Sequence, residues 1–240
     1  MKRLLPAVCL AVALTVTADP ARAEGINLSW DECGSSGIAT KSWTCDSDDG
    51  QAFKLVASVV APANVQEVTA IEYQVDVEAG VKLPEWWKHG LSVCRGDSAI
   101  SLGFEFGTGV TPCADFTGGL WSNGMALDSP SGNRVRMRLF TFAPQGTPAN
   151  LVEGSEYYVF TLQIRPARTT ACAGCAIDAC IVLNSLQFYQ TPVLNHDPLL
   201  VGAGAGGRNH VTWQSEKVLG CPNSTPVRNA TWGTVKSLYR

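Results

Sequence analysis

Histidine, methionine and charge are all scarce in this 240-residue chain: three His, three Met and 16% charged residues. His89, His196 and His210 lie far apart, and neither a Gly-x-Ser-x-Gly elbow nor a His-Glu-x-x-His pair occurs. The sequence patterns of α/β-hydrolase-type esterases and helix-borne zinc proteases are therefore missing. Basic residues form no patch or stripe, which removes the electrostatic footprint of a nucleic-acid binder. There is no basic amphipathic helix of the kind that lies on a membrane surface. Beyond the N-terminal leader, no apolar run approaches the length that spans a bilayer.

What is present begins with that leader. Lys2 and Arg3 precede an apolar run through Val16, and Ala21-Arg22-Ala23 supplies a small-x-small end. This is the layout of a cleavable signal peptide over residues 1–23, so the mature chain is expected to start at Glu24 and to be exported, periplasmic or extracellular. The mature chain, residues 24–240, carries a net charge of about −5 by counting formal charges outside the leader. Cys9 belongs to the leader. The eight mature cysteines are Cys33, Cys45, Cys94, Cys113, Cys172, Cys175, Cys180 and Cys221. An even number in an exported chain reads as a disulfide framework, each bridge contributing about 2–4 kcal/mol. Sequence leaves the connectivity open; short-range pairing suggests Cys33–Cys45 and Cys94–Cys113, with Cys172–Cys180 and Cys175–Cys221 in a final cluster.

Period-two alternation dominates the body. In Val68–Val77, Ile71, Tyr73, Val75 and Val77 alternate with Glu72, Gln74 and Asp76. Ile100–Phe106 and Glu156–Ile164 repeat the pattern, the latter placing Tyr158, Phe160, Leu162 and Ile164 on one side. Arg134–Phe142 sets Arg134, Arg136 and Arg138 against Val135, Met137 and Leu139. Phe53–Val60, Cys180–Tyr189 and His210–Gln214 also read as strands. Gly, Pro, Asn and Asp clusters at 46–50, 107–112, 128–133, 143–147 and 202–209 leave no room for long helices. The expected fold is all-β, an antiparallel two-sheet sandwich of jelly-roll or cohesin-like type, in one domain. The one expected helix lies in 231–240, where Trp232, Val235 and Leu238 have helical spacing and would dock on the sandwich.

Several motifs have simpler readings. Gly202, Gly204 and Gly207 stand in Gly-x-Gly-x-x-Gly register, but a strand-like run follows where a helix N-terminus must meet the pyrophosphate, so a strand-joining turn is expected. Cys172-Ala-Gly-Cys175, with Cys180 and Cys221, could hold zinc or exchange thiols, yet an exported chain favours structural bridges. Asp46, Asp48 and Asp49 cluster as calcium ligands do, but Gly50 comes one residue early for the EF-hand loop and no glutamate closes it; an acidic turn is the default and a calcium site the alternative. Cys94-Arg95-Gly96-Asp97-Ser98 holds a receptor-read tripeptide that a tight turn explains equally well. Asn195–Pro198 reads as a turn although His196 and Asp197 adjoin. No cofactor site is read.

Two resemblances accompany this pattern. The short alternating strands and exported setting resemble cohesin-like and carbohydrate-binding β-sandwich modules, in architecture only. A Trp-rich N-terminal segment, the Pro84-x-Trp86-Trp87 motif and the Trp232–Arg240 ending make the chain look like a group of uncharacterised exported bacterial proteins, a likeness that implies no activity.

Function is then sought in the aromatics. Trp86, Trp87 and Trp121 are the candidate binding residues, because adjacent indoles in an extended segment cannot both point inward and Trp121 sits in a Gly-rich loop. The expectation is a non-catalytic binding or structural surface module meeting a protein or glycan at the cell envelope. One alternative is a carbohydrate binder that stacks sugars on those indoles. The other is a glycoside hydrolase with dispersed acids among Glu72, Asp76, Glu105 and Asp115, which would need two of them within about 5–10 Å.

Overall fold

The computed structural model describes residues 24–80, 82–90, 93–104, 106, 113–194, 196–203, 207–215 and 221. The leader, Glu105, Gly204 and the segment 231–240 lie outside the described residues.

Alternating sequences become strands because one side chain in two can be buried against a second layer. Eleven strands occur among the described residues: β1 (Gly25–Trp30), β2 (Thr40–Lys41), β3 (Phe53–Val60), β4 (Val68–Ala79), β5 (Ile100–Gly103), β6 (Ser122–Ser131), β7 (Arg134–Phe142), β8 (Glu156–Ile164), β9 (Ala179–Gln190), β10 (Leu199–Val201) and β11 (His210–Trp213). They form a four-stranded sheet, β1-β3-β8-β5, and a seven-stranded sheet, β2-β11-β9-β4-β7-β6, with β10 also paired to β9. The described pairings are antiparallel except β2 with β11. The architecture is the disulfide-stapled β-sandwich that the alternation implied.

The inner faces supply one core. Ile71, Tyr73, Val75 and Val77 of β4, with Val135, Met137 and Leu139 of β7, meet Ile26, Leu28, Leu55 and Ala57 of the smaller sheet. Two of the four register shifts among the described pairings correct the simple alternation. The pairing of β3 with β8 shifts between Ala57 and Ser58. An extra residue in one strand flips every side chain beyond it. Tyr158 therefore leaves the main core and packs with Val56, Phe106 and the Cys33 and Cys113 sulfurs on the outer side of the small sheet. The second bulge, between Gln74 and Val75 against β9, lets Leu183 and Leu186 both face inward. Tyr73 bridges the layers: its hydroxyl lies 2.9 Å from Thr141 Oγ1 and 3.3 Å from the Val159 carbonyl, and burial drives its pKa upward.

The disulfide expectation is corrected throughout. The bonds are Cys33–Cys113, Cys45–Cys175, Cys94–Cys172 and Cys180–Cys221, with sequence separations of 80, 130, 78 and 41. Short-range pairing fails because a sandwich brings together loops from distant strands. Cys33–Cys113 fastens loops across the outer face of the small sheet, and Ala114 extends its edge by exchanging backbone hydrogen bonds with Glu156 and Tyr158 of β8. That cover explains why β8 is buried on both faces at Tyr158, whereas β1 is closed off along its edge by the Gly202 and Arg208 carbonyls, which accept from the Ile26 and Leu28 amides.

Proteolysis of the oxidised protein without reductant is expected to release peptides linking Cys45 to Cys175 and Cys94 to Cys172. A Cys33–Cys45 peptide would contradict this topology.

Candidate functional site

Among the described residues, the outer face of the seven-stranded sheet is buried at one end, at Asp76, Glu78 and Val182, and exposed at the other, and the two halves differ chemically. Residues directly opposite on neighbouring strands share a face. At one end Glu78 faces Arg134 and Asp76 faces Arg136. Arg136 donates from Nε and Nη2 to the two Asp76 oxygens at 2.8 and 2.9 Å, and Arg134 Nε lies 2.5 Å from Glu78 Oε1. The Asp76 carboxylate, as hydrogen-bond partner, raises the Arg136 pKa. Cys221 is fixed to this half through Cys180 and clusters with Val182.

The same solvent-facing register of β7 ends in Phe140 and Phe142. Their rings are nearly parallel, 9° apart, with centroids separated by 6.3 Å. Phe142 lies opposite Ala70, which in turn lies opposite Tyr189; Phe140 lies opposite Glu72, then Gln187, then Leu199 of β10. Phe142, Tyr189 and Leu199 keep 46%, 39% and 51% of their surface exposed. The small Ala70 lies between Phe142 and Tyr189, and Gly124 lies opposite Phe140 on the edge strand β6. Tyr189 donates to Glu72 Oε2 at 3.0 Å, which fixes the phenol; burial, then that carboxylate, raises its pKa. The β9–β10 loop adds exposed Val193 and Leu194, held beside the sheet by Gln187 Nε2 bonding the carbonyl of Asp197 and by Asp197 Oδ1 accepting the Gln190 amide.

The indoles chosen from sequence lie elsewhere. Trp86 and Trp87 are 0% and 1% exposed, and Trp121 is 6% exposed. The expectation of a surface ring assumed an extended backbone; Glu85–Trp87 is instead a short 3-10 helix, which points both indoles into the core. Trp86 stacks on Trp213 at 5.0 Å and 15°, and Trp87 meets Trp213 edge-on at 5.9 Å. Trp121 packs edge-on to Phe116 at 5.1 Å. With their faces covered, these rings form no platform for a sugar.

Arg95, of the Arg-Gly-Asp tripeptide, is wholly buried. Its guanidinium lies 4.1 Å from the Trp86 ring centroid and donates to the Trp86 and Arg165 carbonyls. Burial lowers its pKa to about 10. A receptor would have no access to that side chain. His89 is also buried, neither ring nitrogen has a hydrogen-bond partner among the described residues, and burial together with the Arg95 charge pulls its pKa down to about 3.

The remaining candidates have structural partners. Asp48 Oδ1 accepts from the Thr170 amide and hydroxyl at 2.7 and 2.9 Å, which lowers its pKa, and Asp46 accepts from Thr44. Thus two carboxylates of the proposed calcium cluster tie down separate turns; Asp49 is engaged through its backbone amide, which bonds Ser47. Among the described residues no group of three or more His, Cys, Asp or Glu is arranged to hold a metal ion. Glu72 and Asp76 share a strand face four residues apart, roughly 13 Å along the strand, beyond glycosidase spacing. Asp115 accepts from the Thr117 amide and hydroxyl in a local turn. Gly202, with φ 72, begins the turn out of β10, and β11 follows rather than a helix. Cys172 and Cys175 close separate bridges, and Gly174 between them has φ +100 and no room for a Cβ beside Pro84.

No protein-family model matches the chain, and no curated protein matches it. Among solved structures it is similar to a cohesin module from a Clostridium perfringens family 33 glycoside hydrolase, at 11% identity over 80% of this chain and 93% of that one, with a TM-score of 0.31. It is also similar to a type III cohesin module from the cellulosomal ScaE cell-surface anchoring scaffoldin of Ruminococcus flavefaciens, at 12% identity over 82% and 89% of the two chains, with a TM-score of 0.27. At these values the likeness is loose and concerns the β-sandwich layout alone.

His89 makes folding pH-dependent. Because its folded pKa of about 3 lies below the ordinary 6.5, the unfolded chain binds the extra proton between these values. Stability from this site is full above about pH 6.5 and declines as pH falls towards 3. Denaturation midpoints across that range should fall less steeply in His89→Gln than in the parent; parallel curves would contradict the assignment.

Proposed function

We propose that residues 24–240 form one exported, non-catalytic binding module that meets a protein partner of the cell envelope through the Phe142 end of the seven-stranded sheet. The observation that carries this reading is the convergence of exposed apolar side chains from β7, β9 and β10 on one flat face. Contiguous exposed apolar surface is costly in a soluble protein and commonly marks an interaction site. Aromatic anchors such as Phe142 and Tyr189 supply large contact area with few rotatable bonds, and the polar Glu72, Gln187 and Arg138 around them suit an interface rim. Four disulfides support export to an oxidising compartment. The structural engagement of Asp76, Asp115 and Glu72 supports a non-catalytic role.

A second reading rests on the near-parallel Phe140 and Phe142 rings: a glycan could lay its C–H face across them. Aliphatic Leu199, Val193 and Leu194 on the same surface favour the protein partner, since they offer no ring face to a sugar.

Binding of the purified mature protein to isolated cell envelopes separates the two. Protease treatment of the envelopes is expected to abolish binding, and periodate oxidation of their glycans to leave it unchanged; the reverse result would install the glycan reading. The Phe142→Asp/Tyr189→Asp variant is expected to retain stability within about 1 kcal/mol, as exposed substitutions do. It should weaken envelope binding by roughly thirtyfold or more, the loss of at least one hot spot. Unchanged binding would refute the sheet-face site.

A further inference from the structure

Strand β6 ends the seven-stranded sheet and pairs with β7 on one side only. The other sheet edges are short or closed: β5 has four residues and β2 two, and β1 gives its Ile26 and Leu28 amides to the Gly202 and Arg208 carbonyls. β6 runs for ten residues, and over 122–128 it holds an unbroken register against β7. Among the described residues, no backbone hydrogen bond joins that stretch to anything but β7. Alternate N–H and C=O groups along it therefore face water. Ser122, Asn123, Ala126 and Asp128 are exposed. The features that blunt a free edge, a proline and a break in register, come only after Asp128.

Gly124 sets this edge apart. It stands in mid-strand opposite Phe140, in the register that carries the Phe140 and Phe142 rings. Its φ is not positive, and a Cβ there would meet nothing within 4 Å. Neither its backbone nor its neighbours call for glycine, and glycine weakens a strand. What glycine provides is an empty notch on a free edge, beside the exposed aromatic face.

We propose that β6 receives an extended segment of the protein partner as an added strand, with a large apolar side chain of that segment seated in the Gly124 notch against the Phe140 ring. The inference rests on the reading of the Phe142 face as a protein-binding surface and states how the partner is held there. Main-chain hydrogen bonds to β6 supply affinity, and alternate side chains supply selection. Asp128 is the single charge in 122–128. The partner residue across from it lies four positions from the notch residue, about 13 Å along the strand, and a cation there meets the carboxylate. Partner residues across from Met125 and Leu127 turn to the inner side and cover these two half-buried side chains. A second copy of this chain fits the edge less well. Paired antiparallel through β6, it could set only Ser122, Gly124, Ala126 or Asp128 across from Gly124, and none of these fills the notch with apolar bulk.

The test is amide hydrogen exchange of the oxidised mature protein, free and bound to isolated cell envelopes. Binding is expected to slow exchange within 122–128 at least tenfold, because outward amides gain partners that contact with the sheet face alone does not provide. This measurement needs no variant. Gly124→Val, which fills the notch with a strand-favouring residue, should keep or raise Tm while weakening envelope binding at least tenfold; Gly124→Ala should weaken it less. Envelope binding that leaves β6 exchange unchanged, or that survives Gly124→Val intact, overturns the strand addition. The Phe142 face, read separately by Phe142→Asp/Tyr189→Asp, then stands. No envelope binding by the parent protein overturns both. Slowed exchange in the free protein that grows with protein concentration makes a second copy the occupant and likewise overturns the proposal.

Discussion

Trp213 is the hub on which one end of this sandwich depends. It sits on β11 with no exposed surface, stacks on Trp86, and meets Trp87, Phe53 and Trp30 at 5.9, 4.9 and 6.0 Å. Its indole donates to the Cys175 carbonyl at 2.6 Å, and the neighbouring Gln214 side chain hydrogen-bonds the backbone of Trp43. Cys45–Cys175 and Cys94–Cys172 then clamp the connecting loops over the same cluster. Packing of this kind and covalent closure reinforce one another: the bridges restrict the unfolded chain, and the aromatics reward the closed one. Arg95 completes the cluster by placing its charge over the Trp86 ring rather than in water, an arrangement worth more when desolvated.

The aromatics that looked most available for binding are thus committed to holding the fold. The outer face of the small sheet is covered by the loops joined through Cys33–Cys113, and the charged half of the large sheet carries the Cys180–Cys221 bridge. Among the described residues, what stays open is the half of the large sheet where Phe140, Phe142, Tyr189 and Leu199 gather. The proposed site rests on the chemistry of these exposed side chains, and the β7 register makes both halves of the face from one strand.

Strands with strict alternation were legible from sequence, β4 and β7 above all. β6 was not, because Ser122–Ser131 combines Gly, Ser, Asp and Pro with little apolar alternation and survives as a strand through pairing to β7 at the sheet edge. Tyr158 was placed on the wrong face because a bulge leaves no mark in a two-residue period. Trp86 and Trp87 were misjudged because Glu85–Trp87 adopts a 3-10 turn after Pro84. Disulfide partners escaped because they are set by which loops share an end of the sandwich. The sheet-face aromatics did leave a signal: continuing Arg134, Arg136 and Arg138 by the same step of two reaches Phe140 and Phe142. Aromatic residues in a register otherwise occupied by arginine are aromatic residues facing solvent.

The most direct test of the sheet-face site is hydroxyl-radical footprinting of the protein on intact cells of its source and free in solution. Phe140, Phe142 and Tyr189 should be oxidised in solution and protected on cells, while exposed Ile177, at the opposite end of β9 from Tyr189, reacts equally in both. Equal oxidation of the three aromatics in the two settings would contradict the assignment of this face to binding.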